Sequence, residues 1–385
     1  MRICLVSLDY KPYRSSGLTI YAEDLATGLI EQQQEVTVIA AHRPGLPSCQ
    51  QIDNVTIHRA PIDRLDWISY SWRAATLLTA LQQKTPFEIV HFLDVHFAYH
   101  YQGPFVASLW QSFRQRLTAA QGWPYHTGPI DFWRRYCYYQ IARYGMEQPS
   151  LARARRLLAS CRSTQDEFLT HYQLPPQKVD RVPQGINTNL FRPVAAQELR
   201  QRLGLSNCAV LLFMGFITPR KGLEYLAQAL QRLPANVHLV IAGRWSPAYR
   251  QRFYQALGAA QARVHEVGFI ADWERPFYYS MADLYVSPSF LEGLGATPIE
   301  ALACETPAIV TGATSGPEEI GRAGLVVPPF DGKALAEAIQ SLLANPERRR
   351  QMGKWGRAYV LSEFSYERMA KLTLESYAKA VSTSE

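Results

Sequence analysis

Two carboxylates, Glu292 and Glu300, lie eight residues apart around a glycine-rich turn in the stretch FLEGLGATPIEALACETP, residues 290–307. Glu292 follows LYVSPS, which reads as a strand, and precedes Gly293-Leu294-Gly295. A carboxylate at the carboxyl end of a strand, beside backbone open to a ligand, can accept hydrogen bonds from sugar hydroxyls. The turn's N–H groups can hold an anion. Glu300 has a plainer explanation: Thr297-Pro298-Ile299-Glu300 is T-x-x-E with proline in the first helical position, a capping box needing no ligand. GLGATP lacks the last glycine of G-x-G-x-x-G and falls late in its domain, which argues against a nicotinamide site. Paired carboxylates also suit glycosidases, whose acid and base flank the scissile bond; a capping position for Glu300 argues against that geometry.

A second constellation is GFITPRKGLEYL, 215–226, where Arg220 and Lys221 stand between a strand-like run and a helix start. Two cations there oppose the helix dipole, whereas clamping a diphosphate gives them a purpose; a solvated charge pair is the alternative. His91, His96 and His100 in VHFLDVHFAYHY are spaced by five and four, which fits neither a strand nor a helix ligand pair well, and the chain has no D-x-D. No metal is expected. His96 is an acceptor-side candidate, with cleft packing as its alternative.

These residues need elements to hold them. The 385-residue chain, 47% apolar and 19% charged, has the composition of a globular protein with room for two cores. Apolar runs alternate with helical patterns: RICLVSL, EVTVIAA, VTIHRAP, FEIVHFL, PFVASLW and RRLLAS in the first half, then CAVLLFMG, VHLVIAG, ARVHEVGFI, LYVSPS, PAIVTG and LVVPP. That alternation predicts two doubly wound parallel sheets. VDRVPQGINTNLFRPV, 179–194, reads as the loop between them. The predicted domains are 1–190, with 362–385 packed on it, and 191–361. Ligands of such sheets bind at the carboxyl ends of strands, and pockets favour the cleft between domains.

No run reaches the length of a membrane-spanning helix, and the start is too brief for a secretory signal. Six scattered cysteines without C-x-x-C read as reduced thiols, so a cytoplasmic location is expected. The formal net charge is +7. Between Trp110 and Ser163 stand nine arginines against two acids, with ten aromatic residues among them. This segment suits an anionic membrane surface, a sugar-stacking acceptor platform, or plain amphipathic helix. Acids elsewhere break any continuous basic stripe, so no nucleic-acid partner is expected.

Over nearly the whole chain, and most strongly over 179–381, the sequence resembles the retaining glycosyltransferases of family four. The motifs that carry this are Glu292-Gly-Leu-Gly-Ala-Thr-Pro-Ile-Glu300-Ala, which matches the family's E-x7-E signature, Lys221-Gly222, PQGINTNLFRP, VGFI, TSGPEEI and FSYERMA. The resemblance implies the GT-B fold, α/β with two Rossmann-like domains facing a central cleft and a C-terminal helix returning to the first. It implies a nucleotide-diphosphate sugar as donor, a carbohydrate or lipid-linked acceptor, and no cofactor or metal.

Position by position, Glu292 would hold the transferred sugar, with Gly293, Leu294 and Gly295 at the sugar or diphosphate. Thr297 belongs to the same donor set, and Glu300 would hold the ribose. Lys221 and Arg220 would neutralise the departing diphosphate, Gly215 would line the donor site, Ile270 would lie beside the base, and Ser16-Gly17 would face the diphosphate. Departures are Phe216 for the family's arginine, Ser16 for its first glycine, and Trp110 and Gln111 where a histidine often stands near the sugar. The altered first loop and the missing histidine leave a second expectation open, a non-catalytic glycan- or membrane-surface-binding protein on the same scaffold.

Overall fold

The computed structural model describes residues 1–13, 17–62, 67–121, 129–313 and 315–382. The chain divides into two compact units that change over at Gly185/Ile186 and again at Phe364/Ser365, near the positions 190 and 361 expected from sequence.

The first unit holds an eight-stranded sheet: β1 (Arg2–Val6), β2 (Glu35–Ala41), β3 (Cys49–Ile52), β4 (Val55–Ala60), β5 (Ile89–Phe92), β6 (Val106–Leu109), β7 (Arg156–Ala159) and β8 (Val179–Arg181). Their spatial order is β3-β4-β2-β1-β5-β6-β7-β8. All neighbours are parallel except β3 and β4. The central strands read as unbroken apolar runs because helices cover both faces, leaving no polar side to alternate with. The sequence pattern missed two strands. β3, CQQI, carries one aliphatic residue, and it exists because Asp53 and Asn54 both take positive φ (49° and 63°), the turn that suits a two-residue hairpin. β8, three residues long, hides inside the stretch read as a loop.

The final helix, Tyr366–Ser382, belongs to the first unit. Met369, Ala370, Tyr377 and Ala380 enter one core with Tyr21, Leu25 and Leu29 from the helix Gly17–Glu31.

The second unit contains β9 (Ala209–Met214), β10 (Val237–Ala242), β11 (Val264–Gly268), β12 (Leu284–Ser287), β13 (Ala308–Thr311) and β14 (Gly324–Val327). Every pairing is parallel, in the order β11-β10-β9-β12-β13-β14. Counted from β9, this is the 3-2-1-4-5-6 order of a Rossmann sheet, whose crevice opens where the winding reverses, between β9 and β12. Leu211, Phe213, Leu226, Leu239, Phe253, Ile309 and Ile339 build the core beneath that crevice.

Candidate active site in the second domain

The chain leaving β9 passes Gly215 and reaches a single 3₁₀ turn, Pro219–Lys221, before the helix Leu223–Arg232. Arg220 and Lys221 thus sit just ahead of the helix rather than in its first turn. Gly222 makes this possible in two ways. Its φ is +64°, and a Cβ there would fall 2.3 Å from the Pro288 carbonyl oxygen. That close approach lays the turn against the chain leaving β12, and the Phe290 N–H donates to the Arg220 carbonyl at 3.0 Å.

The result is a three-way contact. Arg220 donates to Glu292 Oε2 at 2.8 Å and to the Leu291 carbonyl at 2.9 Å, while Lys221 Nζ donates to Glu292 Oε1. The three side chains share one place at the carboxyl ends of β9 and β12. Burial alone would push the Glu292 carboxyl up, but the charges of Arg220 and Lys221 outweigh it and bring it down to about 2. Burial holds the Lys221 ammonium below its usual range, with Glu292 pulling the other way.

Glu300 requires a correction. The helix begins at Ala296 with Gly295 at its N-cap and no side-chain cap. Thr297 and Pro298 therefore lie inside the first turn, and the capping box does not form. Thr297 Oγ1 accepts instead from the Tyr285 hydroxyl at 2.8 Å. Glu300, one turn on and 1% exposed, points at the helix Arg275–Met281. There its Oε2 accepts from Arg275 and from the Tyr279 hydroxyl at 2.6 Å, while its Oε1 is buried with no hydrogen-bond partner. Burial raises the carboxyl above the usual range; Arg275 and Tyr279 pull it back.

Arg275 and Tyr279 carried no role in the sequence reading. A charged residue four positions before a tyrosine, in the short helix ahead of β12, is the signal that was there to find. Glu319, in TSGPEEI, was also missed. Its Oε1 accepts the Gly295 N–H at 2.5 Å, so this turn amide is already occupied by a carboxyl. Ile270 lies just past β11 and is 7% exposed.

In the first unit, Gly17 opens its helix with open space around it, and Ser16 lies outside the described residues. His96 is buried: Nδ1 lies 2.5 Å from Asp94 Oδ1 and Nε2 3.0 Å from Glu147 Oε1. Burial opposes its charge, yet the two acids outweigh this and raise it to about 9. Both ring nitrogens are thus engaged by acids, which is the packing alternative. Trp110 donates its Nε1–H to the Leu93 carbonyl at 2.7 Å and meets Tyr21 edge-on, so its ring is anchored; Gln111 is half-buried beside it.

Two Rossmann-like domains in one chain, the second with its charged groups at the switch point, make this a protein of the GT-B class. The family model described as glycosyl transferases group 1 matches residues 196–359, and that of glycosyltransferase family 4 matches 15–190. The chain belongs to these group 1, family-four glycosyltransferases. A D-inositol 3-phosphate glycosyltransferase of Paenarthrobacter aurescens is 30% identical over 247 residues, taking in 61% of this chain and 60% of the relative. An α-maltose-1-phosphate synthase of Mycolicibacterium smegmatis is 28% identical over 98% of this chain and 99% of its own. Among solved structures, the sucrose-phosphate synthase of Thermosynechococcus elongatus superposes with a TM-score of 0.81 at 23% identity, over 99% of both chains, which bears on the fold.

Proposed function

We propose that the protein transfers a sugar from a nucleotide-diphosphate donor to a hydroxyl acceptor with retention of anomeric configuration and without a metal. The observation that carries this is the Arg220–Lys221–Glu292 contact across the β9/β12 crevice. Glu292 accepts hydrogen bonds from the sugar hydroxyls, while Arg220 and Lys221 turn to the diphosphate. The C–O bond to the diphosphate breaks and the acceptor oxygen bonds to the anomeric carbon on the same face. The acceptor proton passes to the departing phosphate oxygen. Charge grows on that leaving group, and the two cations stabilise it most where it is greatest. The partnerless Oε1 of Glu300 supports a role for that carboxyl in holding nucleotide hydroxyls.

The test is release of nucleoside diphosphate from a panel of nucleotide sugars. Lys221→Ala and Glu292→Gln are each expected to lower turnover by roughly 10²–10³-fold while the circular dichroism spectrum keeps its native shape. Near-native rates in either variant would refute the assigned roles.

The helix Pro129–Ala142 and the turn after it favour a membrane-borne acceptor at the inner face of a membrane. Ile130, Trp133, Tyr138, Ile141 and Tyr144 are all exposed, from 51% for Tyr138 to 86% for Ile130, at a spacing that puts them along one side. Exposed Arg134 lies among them. Glu147, one of the only two acids in 110–163, is fully buried and cannot offset the arginines. Apolar and aromatic residues edged by arginine suit an anionic lipid surface.

A further inference from the structure

The Ser315 hydroxyl has one proton and two acceptors within hydrogen-bonding distance: the Gly293 carbonyl oxygen and Glu319 Oε1. Glu319 Oε1 also receives the Gly295 N–H at 2.5 Å. Ser315 is 1% exposed and Glu319 3% exposed. If Glu319 is a carboxylate, Ser315 can satisfy one acceptor only, and the other contact sets lone pair against lone pair. If Glu319 is a neutral acid, its own O–H donates to Ser315 Oγ and the Ser315 hydroxyl donates to Gly293. The Gly295 N–H still finds its acceptor, and every group is paired.

The surroundings favour the neutral acid. No ion pair reaches Glu319 among the described residues, and it lines one small cavity with Glu292, Gly295 and Thr297. The charged groups that face it are Glu292 and Lys221. Burial, the largest influence, pushes its carboxyl up to about 7, and Glu292 acts in the same direction, while the hydrogen bonds of Ser315 and Gly295 and the charge of Lys221 oppose.

We propose that Glu319 and Ser315 are positioning residues for the donor turn, a carboxyl proton on Glu319 being relayed through Ser315 to Gly293 so that both ends of Gly293-Leu294-Gly295 are fixed beside Glu292. This rests on reading that turn as part of the donor site. When the proton leaves, the strap opens at Gly293, and a second negative charge stands near the place of the diphosphate. Donor binding therefore weakens as pH rises, while the turnover of bound donor changes less.

The donor KM of the native protein should rise roughly tenfold between about pH 6 and about pH 8.5, with a smaller change in kcat. Glu319→Gln carries no titrating proton, so its KM should stay level across that range, at a value set by which one of the two Oε1 contacts, Ser315 or Gly295, the amide keeps. Glu319→Ala and Ser315→Ala should have a raised KM throughout. A Gln variant that follows the native pH dependence overturns the proposal, as does an Ala variant at either position with native KM.

A separate reading needs no donor. The infrared difference between native protein and Glu319→Gln should show a protonated-carboxyl C=O band at about pH 6 that is lost by about pH 9. Its absence at the lower pH overturns the shared proton. A native protein that turns over no nucleotide sugar refutes the donor site instead, and the infrared band still decides the proton.

Discussion

At the scale of single residues, the site is made of charges that would be costly alone. Glu292 shows this in its acid dependence. Its folded pKa, about 2, lies below its unfolded value near 4.5. The stability it contributes is therefore complete above the unfolded value and is lost as pH falls toward 2. Arg275 gives a sharper case, because it is the cation that compensates the buried Glu300. Replacing Arg275 with leucine should destabilise the fold by about 3–5 kcal/mol in urea denaturation. Adding Glu300→Gln should recover most of that loss, since no charge is then left unpaired. A double variant as unstable as the single one would show that shape, not charge, sets the cost.

At the scale of elements, loop backbones deliver the charges, and glycine sets where. Gly222 and Gly204 both have positive φ, +64° and +70°, but only Gly222 has a neighbour in the way. Gly204→Ala should cost about 1 kcal/mol in stability and leave turnover unchanged. Gly222→Ala should cost more and also raise the donor KM, because the turn that carries Lys221 must back away from Pro288. Equal kinetic behaviour of the two variants would argue against this account.

The sequence was most legible where period and chemistry coincide. Most strands of the second sheet are apolar runs between turns, and Glu292 and Lys221 stand out as charges at strand ends. Glu300 misled because Thr297-Pro298-Ile299-Glu300 satisfies a local pattern, while the helix actually starts two residues earlier, at Ala296 rather than Pro298. Local patterns do not fix the first turn of a helix. Arg275, Tyr279 and Glu319 were silent because their partners lie 25, 21 and 24 residues away in the chain. β3 escaped because its turn, not its side chains, makes it a strand.

For the whole molecule, the excess of positive charge, +7, and one helix with an apolar outer side together concern where the protein resides. Vesicles rich in anionic lipid should bind it, neutral vesicles much less, and added salt should release it. Trp133→Ser combined with Ile141→Ser should weaken vesicle binding by roughly tenfold or more, since each large apolar side chain contributes about 1.5–3 kcal/mol when buried. Donor turnover in free solution should be untouched by that pair. Binding that ignores lipid charge, or survives the double change, would remove lipid from the account.

Because Arg220 and Lys221 hold Glu292, the charges at the ends of β9 and β12 quench one another. An intruder such as inorganic phosphate can offer the two cations a substitute but leaves the abandoned carboxylate stranded. A molecule carrying hydroxyls on one side and phosphates on the other compensates both halves at once. On the proposed donor reading, discrimination against abundant small anions follows from the Arg220–Lys221–Glu292 contact itself.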